Sequence, residues 1–233
     1  MIRNTLANVL FTIAFLSATN VFSQLSQRSE IGGGIGVFNY TGDLVRTYNL
    51  TTSKPGATLF YRSNISRVIS FKTALTAGQL GASDKNDPID PAAFKRNASF
   101  DLFLMELSST FEYHFLDWRD DKRRLRFTPY LFTGIALFGI SGTHTKPAEY
   151  SNVQLSIPIG GGMKYVLNPK YYIAFEFGIR KTFFDYLDNV SQGDASLKNY
   201  QYGNPNDFDN YFFTGITLTY TFYDIPCAKS PYR

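Results

Sequence analysis

The chain has 233 residues, which is room for one domain of ordinary size. Charged residues are 18% and aromatics 17%, with 22 Phe and 16 Tyr against one Trp, and a mean hydropathy of -0.17 excludes a bundle of apolar membrane helices. It does not exclude a membrane barrel, whose strands alternate apolar and polar residues and average near zero.

The net charge of +4 is spread along the chain, so no nucleic-acid footprint is expected. The single cysteine, Cys227, excludes an internal disulfide and a Cys-rich metal site. At the N-terminus Arg3 precedes an apolar run from Leu6 to Leu16, and Val21 and Ser23 are placed for cleavage before Gln24. This pattern predicts a secretory signal peptide over residues 1–23. The run is shorter than the ~20 residues a spanning helix needs. The expected organisation is a signal peptide at 1–23, an outer-membrane β-barrel domain at 24–224 and a short periplasmic tail at 225–233.

After Gln24 the pattern is period two. A first strand over 30–40 places Ile31, Ile35 and Val37 opposite Gly32, Gly34 and Gly36. A second over 56–64 places Leu59 and Tyr61 opposite Thr58 and Arg62. A third sets Ile69, Phe71 and Leu75 against Ser70, Lys72, Ala74 and Thr76. The fourth is the clearest: Phe103, Met105, Leu107, Phe111, Tyr113 and Phe115 against Glu106, Ser108, Thr110, Glu112 and His114. The fifth, 129–140, is apolar on both faces and gives no orientation. The sixth, 153–167, sets Ile157, Ile159, Met163 and Tyr165 against Gly160, Gly162 and Lys164. The seventh, 171–183, sets Ile173, Phe175, Phe177 and Ile179 against Glu176, Gly178, Arg180 and Thr182. The eighth, 211–223, sets Ile216, Leu218, Tyr220 and Phe222 against Thr217, Thr219 and Thr221.

Strands of about ten residues are the length that crosses a bilayer at a tilt. The connections alternate: long at 41–54, 78–98, 141–152 and 184–210, short at 65–67, 116–125 and 168–170. Short periplasmic turns and longer external loops are the habit of bacterial outer-membrane barrels, and closure removes the unpaired edges that lipid does not tolerate. The predicted fold is therefore all-β: an eight-stranded antiparallel up-and-down transmembrane barrel of the outer membrane with both termini periplasmic. Aromatics near the strand ends, including Phe38, Tyr40, Tyr113, Phe115, Tyr171, Tyr172, Tyr211, Phe212, Phe222 and Tyr223, are expected to form interface girdles.

The polar faces point into a lumen too narrow for an open channel. Lys72, Glu106, Glu112, Lys164, Glu176 and Arg180, with Arg62 as a further candidate, are expected to form a structural ion-pair network there, because an isolated buried charge costs several kcal/mol. Gly32, Gly34, Gly36, Gly160 and Gly162 relieve crowding on the same faces. No catalytic residue, cofactor or metal site is expected. The two histidines lie at opposite ends of the barrel, His114 on the fourth strand and His144 in the third long loop, so they cannot share a metal. The run Asp185-Tyr186-Leu187-Asp188-Asn189-Val190-Ser191 offers oxygens but lacks the spacing of a calcium loop, and local turn capping is the expected role.

Several segments together carry a family resemblance. They are Glu30-Ile31-Gly32-Gly33-Gly34 through Asn39-Tyr40-Thr41-Gly42-Asp43-Leu44, Pro129-Tyr130-Leu131-Phe132-Thr133-Gly134, Ile157 through Tyr165, and Glu176-Phe177-Gly178-Ile179-Arg180-Lys181-Thr182 leading into Asp185-Tyr186-Leu187-Asp188. The chain resembles the PorG-like (DUF6089) outer-membrane barrels of bacteria that carry the type IX secretion system, over about residues 28–224. Asn189 and the tail Pro226-Cys227-Ala228-Lys229 depart from the family's usual pattern.

The resemblance implies a non-enzymatic barrel that sits in outer-membrane lipid and anchors periplasmic ring proteins of the PorK–PorN type, with no cofactor. Partner contacts are then expected from the periplasmic turns, above all Trp118, Arg119, Lys122, Arg123 and Arg124. An alternative is a surface-binding barrel acting through its long loops, the longest of which carries Tyr186, Tyr200 and Tyr202. A third reading is a lipid-modifying enzyme using His144.

Overall fold

The computed structural model describes residues 28–41, 48, 52–83, 99–117, 126–142, 151–168, 170–183 and 209–222. The expected signal peptide, the turn residues 118–125, the 185–191 run, His144 and the tail lie outside the described residues.

Eight strands form one closed antiparallel sheet. They are β1 (Arg28–Thr41), β2 (Lys54–Asn64), β3 (Ile69–Ser83), β4 (Ser99–His114), β5 (Phe127–Ser141), β6 (Val153–Val166), β7 (Tyr171–Thr182) and β8 (Asn210–Phe222). Each strand pairs with its sequence neighbours, and β8 returns to pair with β1 from Ser29↔Phe222 to Thr41↔Asn210. No edge is left open, which is what a strand-built wall in lipid requires. The strands run from 11 residues in β2 to 16 in β4, enough to cross a bilayer at a tilt.

Two of the short turns are fixed by single side chains. Ser66 Oγ accepts hydrogen bonds from the Val68 and Ile69 amides at 3.3 and 3.0 Å. Asn168 Oδ1 accepts from the Lys170 and Tyr171 amides, both at 2.9 Å. Short polar side chains that satisfy the backbone two or three residues on are what reverse a chain tightly.

The partition of residues is inverted relative to a protein folded in water. Ile35, Leu59, Ile135 and Ile216 stand outward with more than half their surface exposed, along with most other large apolar side chains of the strands. Glu30, Arg62, Lys164 and Glu112 face inward and are buried. An apolar exterior around a charged interior is stable only if the surrounding solvent is itself apolar, as in a lipid bilayer.

Three expectations need correction. The second long connection is shorter than read, because β3 continues to Ser83 and pairs with β4 down to Ser83↔Ser99. Phe38, Tyr40, Tyr172 and Tyr211 are not girdle residues: each is at most 4% exposed and points into the lumen. The cause is parity. Phe38 and Tyr40 share a face with Glu30, and Tyr211 with Thr217 and Thr219, so they cannot reach lipid. Tyr113, Phe115, Tyr171 and Phe222 do face outward, with ring pairs Tyr113–Phe115 at 5.3 Å and Tyr171–Tyr220 at 5.3 Å.

The lumen, finally, is not polar along its whole length. Towards the long connections Phe38, Tyr40, Leu80, Leu102, Leu104, Phe138, Ile140, Tyr211 and Phe213 form a buried apolar cluster. This accounts for the two-faced apolarity of β5. Leu131, Ile135 and Leu137 face outward, while Phe132, Phe138 and Ile140 fill the interior.

The rings in this cluster lie against bare backbone. Gly215, Gly36, Gly56 and Gly78 fall in one register row across β8, β1, β2 and β3. A Cβ at Gly56 would come within 2.6 Å of Phe38 Cε2, and one at Gly78 within 2.7 Å of the same atom. The row seats two rings, Phe38 over Gly56 and Gly78 and Phe213 over Gly36 and Gly215, so a side chain there would displace one or the other. On the outside, Tyr48 from the β1–β2 connection packs edge-on against Phe177 of β7 and Phe212 of β8, and its hydroxyl lies 3.0 Å from Thr214 Oγ1. It thereby reaches past β1, across the seam where β8 closes the barrel.

Candidate functional site: the braced lumen

All six residues expected in the lumen network (Lys72, Glu106, Glu112, Lys164, Glu176 and Arg180) point inward and are at most 5% exposed. Their contacts fall into two groups. The larger occupies the end near the short turns, and its hub is Arg62. Arg62 Nη1 donates to Glu30 Oε2 at 2.8 Å, Nη2 donates to Glu112 Oε1 at 3.1 Å, and Nε lies 2.8 Å from Glu112 Oε2. Asn64 Nδ2 donates to the other Glu30 oxygen at 2.7 Å, and Lys164 Nζ stands 3.5 Å from Glu30 Oε2. Lys72 Nζ donates to Glu176 Oε2 at 2.6 Å and lies 3.6 Å from Glu112 Oε1. The Tyr130 hydroxyl donates to Glu176 Oε2 at 3.2 Å.

In this group three carboxylates, Glu30, Glu112 and Glu176, meet three cations, Arg62, Lys72 and Lys164. The balance matters because a buried ion left without a partner costs several kcal/mol. Aromatic faces help hold the cations: the Arg62 guanidinium lies 4.8 Å from the Phe60 ring centre, and Lys72 Nζ lies 5.3 and 5.5 Å from those of Phe60 and Phe132.

The smaller group adjoins the apolar cluster. Arg180 Nε donates to Glu106 Oε2 at 3.2 Å, and the Tyr211 hydroxyl donates to the same oxygen at 2.6 Å. Between the groups lies a cavity of about 10 Å³ lined by Lys72, Thr76, Ser108, Glu176 and Arg180 among others. That is room for about one water molecule. Every strand contributes to these contacts: Glu30, Arg62, Lys72, Glu112, Tyr130, Lys164, Glu176 and Tyr211 come from β1 to β8 in order. The side chains thus tie the wall together across the lumen as well as around it.

Sequence reasoning left Glu30, Asn64, Tyr130 and Tyr211 out of the network. Glu30 was hidden by its place at the start of a glycine-rich strand. It shares the parity of Gly32 and Gly34, and that signal could have found it. Tyr130 and Tyr211 were read as apolar or interfacial, although a buried tyrosine hydroxyl needs a partner.

One arrangement calls for a chemical reading. His114 Nε2 lies 3.3 Å from Ser70 Oγ and 3.5 Å from Glu112 Oε2. A nucleophilic relay needs the base to meet the serine with one ring nitrogen and the acid with the other. Here one nitrogen faces both, and Ser70 Oγ donates its proton to Asn64 Oδ1 at 2.7 Å. Ser70 and His114 are also fully buried. The group is a structural cap on the ion pairs. Among the described residues no cluster of three or more His, Cys, Asp or Glu could hold a metal ion. Trp118, Arg119, Lys122, Arg123 and Arg124, and the motif Asp185, Tyr186, Leu187 and Asp188, lie outside the described residues.

A family model described as a domain of unknown function, DUF6089, matches residues 7–230. The chain belongs to this family. No curated protein matches the DUF6089 chain. Among solved structures it is similar to Neisserial surface protein A, with a TM-score of 0.52 at 10% identity over 83% of this chain and 97% of that one. It is also matched to Ail of Yersinia pestis, solved with a heparin analogue, with a TM-score of 0.46 at 13% identity over 85% and 100%. The N-terminal barrel of Pseudomonas aeruginosa OprF gives 0.43 at 14% identity over 83% and 97%. At these identities the first likeness concerns the fold alone.

Proposed function

We propose that this DUF6089 chain is a non-enzymatic barrel of the Gram-negative outer membrane that anchors periplasmic partners, as the PorG-like resemblance implies for the type IX secretion machinery. The filled lumen carries this reading. Ion pairs occupy one half and an aromatic cluster the other, so the barrel offers no conduit, and the surfaces left to act are its two ends. In the proposed orientation the short turns and both termini face the periplasm. The binding of the only described histidine within the lumen polar groups supports a non-enzymatic role.

The test is purification of the protein from its own envelope in mild detergent after brief cross-linking, with mass spectrometry of what is retained. Ring proteins of the PorK–PorN type are the expected companions. Recovery of the folded barrel without them, together with normal ring assembly in a deletion strain, would overturn the reading.

A further inference from the structure

The two rims of the barrel differ in charge. At the short-turn rim Arg67, Arg126 and Lys170 are all exposed and sit in three successive connections. Among the described residues the one acid at this rim outside the lumen is Asp117. It lies 3.6 Å from Arg67, whose side chain remains 83% exposed. At the opposite rim the described charges balance: Lys54 pairs with Asp101 at 3.1 Å, and Lys181 is matched in number by Asp209. Of the remaining connections, residues 42–53, 84–98 and 143–150 carry equal numbers of acids and cations, and two are unbalanced in the same sense. Residues 118–125 hold four cations against two acids, and residues 184–208 hold four acids against one cation.

We propose that the short-turn rim is a docking face for a periplasmic protein with an acidic surface, held chiefly by Arg67, Arg126 and Lys170. The inference rests on the anchoring reading and adds the chemistry of the partner. A protein fits better than lipid headgroups for a geometric reason. Among the described residues, the outward positions beside this rim, where headgroups would lie, carry Tyr61, Ile69, Tyr113, Tyr165, Tyr171 and Phe222 and no cation. The three cations instead stand on or next to the connections, past the ends of the apolar wall. Exposed charges of one sign on such a rim steer and register an oppositely charged partner more than they add raw affinity, so the contact should weaken with salt.

The experiment treats native envelopes with a carbodiimide, which joins an amine directly to a carboxylate. It uses the wild type and Arg67→Lys/Arg126→Lys, which keeps the charge and adds reactive amines. Peptides cross-linked to Asp or Glu of another protein, from position 170 in the wild type and from positions 67, 126 and 170 in the Lys variant, are the expected result. In Arg67→Glu/Arg126→Glu/Lys170→Glu the partner recovered by co-purification in mild detergent, without the carbodiimide, should fall at least about tenfold. A comparable loss is expected for the wild type in about 1 M salt, where the screening length is about 3 Å. Heat-modifiable gel migration establishes that each variant is folded. Partner recovery at the wild-type level by the folded charge-reversed variant would overturn the rim chemistry while leaving the anchoring reading intact. Recovery of no partner by the wild type would remove the anchoring reading itself. Charge-dependent retention of phosphatidylglycerol, seen by native mass spectrometry without protein cross-links, would reassign the rim to lipid headgroups.

Discussion

Replacing Arg62 with Met removes the guanidinium between Glu30 and Glu112 and leaves a side chain long enough to occupy most of its space. Arg62 approaches each carboxylate to 2.8 Å and is fully buried. Removing one member of a buried ion pair costs roughly 3–5 kcal/mol, because the other is left uncompensated. Both carboxylates keep some support here. Glu30 retains Asn64 at 2.7 Å and Lys164 at 3.5 Å, and Glu112 retains Lys72 at 3.6 Å. The expected loss is therefore near the lower end, about 3 kcal/mol. The assay is urea unfolding of the refolded barrel in phospholipid vesicles, with linear extrapolation to water. Adding Glu112→Gln restores the balance of carboxylates and cations, so the double variant should recover about 1–3 kcal/mol of that loss as coupling. A loss below about 1 kcal/mol for Arg62→Met, or strictly additive effects, would refute the claim that these ion pairs brace the wall.

Gly56→Val should destabilise the barrel by about 1–3 kcal/mol, since its Cβ meets the Phe38 ring at 2.6 Å. Gly139→Val, whose nearest neighbour would be Asn152 O at 3.9 Å, should be nearly neutral in the same unfolding assay, and equal effects would discount the ring seat. Tyr48→Ala removes two edge-on ring contacts and a hydroxyl contact at 3.0 Å. It should speed amide hydrogen exchange along the β1–β8 seam near Asn39 and Phe212, and unchanged protection there would mean that Tyr48 does not tie the seam.

Much of the fold was legible because barrel strands carry their orientation in a simple alternation. β4 is the plainest case: Leu107 and Phe111 are exposed, and Glu106 and Glu112 are buried, as their parity requires. β5 was not legible, because both its faces are apolar, one for lipid and one for the ring cluster around Phe138. Alternation separates inside from outside only when the two environments differ in polarity, and in that half of the lumen they do not. The same blindness misplaced Phe38 and Tyr211, whose aromatic character suits an interface or a packed interior equally. Arg62 could be placed on the polar face of β2 from sequence. That it bridges β1 and β4 depends on the curvature of the closed wall, which no local pattern encodes.

The central claim is that the outward row meets lipid acyl chains while the inward row does not. Neighbouring residues at one depth on β5 test it: Leu131 is 55% exposed and Phe132 is 3% exposed. With the sole tryptophan removed as Trp118→Phe, Leu131→Trp and Phe132→Trp each place one reporter in the wall. In vesicles of phospholipid brominated along the acyl chain, the Leu131→Trp reporter should be strongly quenched and the Phe132→Trp reporter should keep most of its emission. Equal quenching at the two positions, or the reverse order, would contradict the account.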